Sequence, residues 1–135
     1  ITSKIFIINK LPIDGVYLFN KLGFEFHKNY GIAFGINIYN ILTIILSSII
    51  VILLLIAFQK SLKLKKYNLN FFIGLIIIGA MSNLMDRILY GYVIDFITIY
   101  FLPVFNLSDL YIMTGIIFCF TILNKKSPDK MTRDL

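Results

Sequence analysis

The run from Ile36 to Phe58 holds no charged residue, and that feature limits the possible folds more than any other. A helix crosses the hydrocarbon layer of a bilayer with roughly 20 mostly apolar residues, in a range of about 17 to 25. Ile36–Phe58 satisfies that requirement alone. Two further uncharged stretches follow, Leu69–Met85 and Leu110–Asn124. The first spans if its Tyr67–Asn68 and Asp86–Arg87 ends lie at the interfaces. The second spans if it begins near Asn106, with Asp109 at the membrane surface. Composition agrees, because 59% of the 135 residues are hydrophobic and only 15% are charged. A soluble domain is nearer half apolar and a quarter charged. The chain is predicted to be a polytopic membrane protein.

A net charge of +6 is compatible with nucleic-acid binding, but the placement of that charge argues against it. Lys60, Lys63, Lys65 and Lys66 form one cluster, and Lys125, Lys126, Lys130 and Arg133 form another. Each directly follows an apolar span, where cytoplasmic ends are expected to be basic. The charge therefore orients helices in membrane lipid, and no nucleic-acid partner is expected. Lys10–Tyr30 and Ile94–Phe105 then lie outside. Cys119, the single cysteine, falls within the last apolar run and reads as a small packing residue.

One domain over residues 1–135 is expected. Its parts are a helix-1 remnant at 1–11, an outer segment at 12–35, helices at about 36–58, 69–90 and 106–124, and a cytoplasmic tail at 125–135. Ile1–Leu11 is apolar but too short to span, and looks like the tail of a helix that begins earlier. Alternation in Phe24-Glu25-Phe26-His27 predicts a short strand or two in the outer segment.

Ionisable residues in or near membrane spans are costly, and they point to function. A helix that starts near Asn68 and rises 1.5 Å per residue lifts Asp86 and Arg87 by roughly 27 Å, close to the far boundary of a ~30 Å core. Asp95 follows in the outer connection, and Asp109 opens the descending helix. Three carboxylates and a guanidinium thus gather at one depth, opposite the lysines. Asn83 and Arg87 share a helix face, and Gly79, Ala80 and Ser82 permit close helix approach. Taken singly, Asp109 reads first as a helix cap and Asp86–Arg87 as a structural ion pair. Asp95 is different. Val93, Ile94, Phe96 and Ile97 surround it, so its carboxyl must find a partner or hold a proton.

Elimination narrows the chemistry. His27 is the only histidine, so the HExxH zinc arrangement is absent, and His27 reads as a solvated outer-loop residue. No Ser-His constellation or glycine-rich phosphate loop is present, and no metal or cofactor is expected. A carboxylate pair remains. Two nearby carboxyls share a proton, so one can activate water while the other protonates a peptide carbonyl. A proton- or ion-coupled transport subunit and a non-catalytic scaffold are the alternatives from other classes.

The motifs now resemble a known family. Asn29-Tyr30-Gly31-Ile32-Ala33-Phe34 is similar to the N-x-G-x-A-F motif of lipoprotein signal peptidases, also called signal peptidase II. Gly79-Ala80-Met81-Ser82-Asn83-Leu84-Met85-Asp86-Arg87 resembles their G-A-x-x-N-x-x-D-R motif. Gly91, Val93 and Asp95-Phe96-Ile97 follow G-x-V-x-D-F-I, and Phe105-Asn106-Leu107-Ser108-Asp109 resembles F-N-x-A-D, with serine for the usual alanine. Four motifs occur in the family's order.

The resemblance implies a four-transmembrane-helix bundle, all-α but for a small extracytoplasmic β-structure, with most of helix 1 ahead of Ile1. It implies a monomeric aspartic endopeptidase of the bacterial inner membrane, with its site near the extracytoplasmic face. The substrate would be a diacylglyceryl-modified prolipoprotein, cut before the lipidated cysteine, and globomycin-type peptides would inhibit. Asp95 and Asp109 match the catalytic aspartates. Asn29, Gly31, Asn83, Asp86, Arg87 and Asn106 match substrate-binding or supporting positions.

Overall fold

A computed structural model describes residue 4, residues 15–19, 22–32 and 36–37, and residues 40–125. The helix-1 remnant other than Lys4, the motif residues Ala33 and Phe34, and the tail beyond 125 lie outside the described residues.

Among the described residues three helices are long and apolar enough to cross a membrane: α1 (Asn40–Lys63), α2 (Tyr67–Tyr90) and α3 (Leu107–Asn124). Helix α1 starts later and ends later than the expected 36–58. Lys60 and Lys63 occupy its last turn, where their charge complements the helix dipole and the carbonyls that lack partners. The two residues Ile36–Asn37 belong instead to a strand.

Helix α2 is central, packing against α1 on one side and α3 on the other. Leu69, Ile73 and Ile77 are buried with Leu54 and Phe58 of α1 and Cys119 and Ile122 of α3. Phe72 stacks on Phe118 with ring centroids 4.6 Å apart. The rest of α1 and α3 leaves Ile49, Ile52, Leu53, Ile56, Ile116, Ile117 and Phe120 exposed. A surface of that kind is stable against lipid, not water.

Close approach of α2 to α3 depends on glycine. A Cβ on Gly79 would strike the Ser108 carbonyl oxygen and lie 2.8 Å from Cγ1 of Ile112. Gly115 meets α2 in the same way, at Ile76 and the Phe72 carbonyl. Helix α2 ends at Gly91, whose left-handed conformation (φ 80°) lets its N–H bond the Arg87 carbonyl. The chain turns there directly into a strand.

The strands are β1 (Val16–Phe19), β2 (Leu22–Asn29), β3 (Gly31–Ile32), β4 (Ile36–Asn37), β5 (Val93–Ile99) and β6 (Leu102–Phe105). Four of them form a sheet ordered β1-β2-β5-β6 with antiparallel pairing, and β3 pairs β4 separately. Strands β5 and β6 occupy the outer connection, for which no secondary structure is expected from the sequence pattern. Period-two alternation divides β5 between two faces. Ile94 and Phe96 pack with Phe24 and Phe26 in the sheet's own core, while Val93 and Asp95 line a cavity against the helices.

The Gly79 contact generates a prediction. Gly79→Ala should destabilise the helix pair by about 1–3 kcal/mol, the usual cost of overpacking. Gly74→Ala, whose Cβ meets only Phe58 at 3.7 Å, should be tolerated. Reversible unfolding in mixed detergent micelles measures both, and equal stability of the two variants would show that the close approach is not needed.

Candidate active site

The site is assembled where α3 begins. A helix start in a buried place must satisfy its free N–H groups, and Asn106 does so from the N-cap. Its side-chain oxygen accepts from the N–H of Ser108 at 2.7 Å and of Asp109 at 3.3 Å. Asp109 completes a capping box, accepting the Asn106 N–H on Oδ2 at 2.9 Å. Asp109 is therefore a cap as well as a site residue, and the cap fixes the direction of its carboxyl.

The Asn106 amide nitrogen reaches the other way. It donates to Oδ1 of Asp95 at 2.6 Å and to Oδ1 of Asn83 at 3.3 Å. Asn83 in turn donates to Oδ1 of Asp109 at 2.9 Å. Asn29 donates to Oδ2 of Asp95 at 2.9 Å, and its own oxygen accepts the Gly31 N–H at 3.1 Å. Every carboxylate oxygen of Asp95 and Asp109 thus has a nitrogen donor. Both aspartates line a cavity of about 380 Å³ with Asn29, Asn83, Arg87 and His27, and with Leu102, Pro103 and Val104 of β6 as an apolar wall.

Arg87 and Asp86 are neighbours in sequence but not partners. Asp86 is paired with Lys4, whose Nζ lies 2.7 Å from Oδ2, and the same oxygen accepts the Ile94 N–H at 3.0 Å. The expected Asp86–Arg87 ion pair is thereby corrected. Consecutive helix residues point about 100° apart, so the two side chains face different elements. Among the described residues Arg87 forms no ion pair. It donates to the Gly31 carbonyl at 3.2 Å and the Asn83 carbonyl at 3.4 Å. Gly31 enters through its backbone alone, which is buried under Arg87.

Two residues escaped the sequence reading. Lys4 is helical and buried, and donates to Asn83 at 3.0 Å as well as to Asp86. Only a long-range contact reveals it, since nothing near Lys4 in sequence marks a buried cation. His27 lies on β2 rather than in a loop, exposed but directly opposite Asp95 in the β2–β5 register. The outer-loop reading is corrected on that point.

Burial is severe at the centre: Asn106 is 0% exposed, Asp95 2%, Lys4 3% and Asp86 4%. Burial pushes the Asp95 carboxyl above its ordinary value of 3.8. The bonds from Asn106 and Asn29 oppose that rise, the charge of Asp109 adds to it, and the charge of Lys4 opposes it.

Comparison with known proteins gives the family. A family model described as signal peptidase (SPase) II matches residues 1–124. The chain belongs to the signal peptidase II family. The lipoprotein signal peptidase of Wigglesworthia glossinidia brevipalpis is 40% identical over 134 residues, covering 92% of this chain and 84% of that protein. The lipoprotein signal peptidase of Buchnera aphidicola subsp. Schizaphis graminum is 38% identical over 124 residues, 85% of this chain and 80% of that one. A bacterial membrane enzyme solved by the in meso method at 2.3 Å superposes with a TM-score of 0.80 at 29% identity, covering 99% of this chain and 85% of that chain. With three spanning-length helices among its described residues, the chain is a membrane protein of a protease family.

Two predictions follow from the buried charges of this signal peptidase II fold. Lys4→Met leaves Asp86 charged and unpaired, and should cost about 3–5 kcal/mol. Adding Asp86→Asn, which keeps an acceptor for the Ile94 N–H, should recover much of that loss. A double-mutant cycle with zero coupling would remove the pair from the site's support. The second concerns Asp95. Its raised pKa means that the folded protein keeps a proton that the unfolded chain has released. The stability this contributes is fully present below pH 3.8 and is lost as pH rises through the folded value. Infrared titration should show a carboxyl band, absent in Asp95→Asn, that disappears only above pH 3.8. A midpoint at or below that value contradicts the assignment.

Proposed function

We propose that the chain is an intramembrane aspartic endopeptidase that removes signal peptides from diacylglyceryl-modified prolipoproteins, cutting before the lipidated cysteine. The observation that carries this reading is the convergence of Asp95 and Asp109 on one cavity, held in register by Asn106, in a chain of the signal peptidase II family. Its relatives carry the name lipoprotein signal peptidase.

The proposed chemistry uses the two carboxyls as one unit. Burial raises Asp95, which suits it to carry the shared proton. Asp109 takes a proton from water as the oxygen attacks the scissile carbonyl, and Asp95 protonates the carbonyl oxygen. Proton return to the amine then releases the signal peptide. No covalent enzyme intermediate is needed. Asn29, Asn83 and Asn106 hold both carboxyls in orientation, so little rearrangement is required on the way to the transition state. Arg87, with no carboxylate partner among the described residues, has donor capacity left to orient substrate carbonyls. Lys4 and Asp86 support Asn83 from behind.

On this reading the chain is one polytopic peptidase domain of a four-span bundle, with Lys4 on the first of the four helices, acting as a monomer in the bacterial inner membrane. The lysines at 60–66 face the cytoplasm, and the site opens at the extracytoplasmic face. Water arrives there from one side and lipidated substrate from the other. Globomycin-type peptides would compete for the same cavity.

A gel-shift cleavage assay on a diacylglyceryl-modified prolipoprotein tests the proposal. Asp95→Asn and Asp109→Asn should each lower cleavage by at least about 100-fold, the lower end of general acid–base contributions, while retaining insertion and folding. Substantial cleavage by either folded variant would remove the dyad. A folded wild-type protein without cleavage would return the chain to the transport or scaffold classes.

A further inference from the structure

The end of the bundle opposite the aspartates carries a cavity whose lining contains none of the candidate catalytic or supporting residues. Helices α1, α2 and α3 leave between them a groove of about 350 Å³, walled by Leu54, Ala57, Leu69, Ile73, Ile76 and Cys119. Lys60 and Lys66 enter its lining at one end. A second cavity, also about 350 Å³, shares Lys66, Leu69 and Leu123 with the groove and is lined by Lys65 and the first residues of α2. The two therefore adjoin.

Among the described residues nothing neutralises the positive charge at this end. No acidic residue occurs between Phe58 and Met85, and among the described residues none of these lysines forms an ion pair. Helix α2 begins at the same place, with no side chain capping it and no acidic residue in its first turn. Its partial positive charge adds to that of the lysines.

The dimensions match one kind of ligand. From Lys66 to Ile76 the groove follows α2 for about 15 Å at 1.5 Å per residue, which is half of a ~30 Å hydrocarbon core. An apolar slot one leaflet long, ending in cations that have no ion-pair partner among the described residues, fits an acyl chain beneath a negatively charged headgroup. A soluble anion would leave the slot empty, and a zwitterionic lipid would bring its own cation to the lysines.

We propose that this groove is a binding site for one anionic glycerophospholipid, its phosphate held between Lys60 and Lys66 and an acyl chain laid along Leu54, Leu69 and Ile73. The groove shares no lining residue with the Asp95–Asp109 cavity, although it meets a third cavity at Leu54 and Ile76 that extends to Asn83 and Arg87; the lysine end is the part proposed to select the lipid. Each lysine near an anionic headgroup contributes about five-fold in affinity, so the pair contributes roughly 30-fold.

Native mass spectrometry of the delipidated, detergent-solubilised full chain tests this directly, titrating phosphatidylglycerol against phosphatidylcholine with identical acyl chains. The wild type should retain phosphatidylglycerol at least 10-fold more tightly, as a one-to-one adduct. Lys60→Gln with Lys66→Gln should bring it down roughly 30-fold, towards the phosphatidylcholine level. Ala57→Trp, which fills the groove and keeps every charge, should weaken it as well. Lys125→Gln should change nothing. Equal retention of the two lipids, or an equal effect of Lys125→Gln, would reduce the lysines to diffuse surface charge and overturn the proposal. So would full binding by Ala57→Trp. Displacement by glycerol phosphate at the same concentration would assign the site to a soluble anion instead.

Discussion

The start of α3 is the constraint on which the site depends. A helix that begins inside the protein cannot leave its first N–H groups to water, and Asn106 and Asp109 answer that need with a reciprocal cap. The same two residues are then committed in position, and the spare amide of Asn106 is aimed at Asp95. Helix capping, usually a matter of about 1 kcal/mol, here also sets the relative placement of two carboxyls from different elements. Asn83 closes the circuit from α2.

Around that centre the structure balances buried charge in layers. Asp95 and Asp109 share the cavity, and Asp86 lies behind them with its own cation, Lys4. Each buried carboxylate that is hydrogen-bonded or paired avoids most of the penalty of leaving water. Asp86 also accepts the N–H of Ile94, which ties the end of α2 to the strand that carries Asp95. The turn at Gly91 makes that short return possible. Asp86 thus faces Lys4 while Arg87 faces the cavity, although the two are adjacent in the chain.

The membrane decides the rest. With lipid as solvent, α1 and α3 can leave most of their apolar surface unpacked, and α2 is the most enclosed of the three. Tight contact is reserved for the α2–α3 crossing at Gly79 and Gly115, which brings Asn83 within reach of Asp109. Where α1 and α3 diverge, the bundle leaves an apolar groove that ends among lysines, so lipid is a ligand candidate as well as a solvent.

Much of this was written in local sequence. Uncharged stretches at 36–58, 69–85 and 110–124 carry the signal for spans because a bilayer core admits little else. Asp95 and Asp109 stand out because carboxyls are costly among apolar neighbours. Motif order was enough to suggest the family. Only the tertiary structure could decide the partnerships. Lys4 meets Asp86 across 82 positions of chain, and His27 meets Asp95 through strand pairing, not through any motif. Strands β5 and β6 were hidden because their apolar residues read equally well as a shielding environment for Asp95. Local sequence determines which residues can sit in lipid and which must find a partner. Which partner each one finds depends on the crossing of helices and the register of strands, and no stretch of the chain encodes these alone.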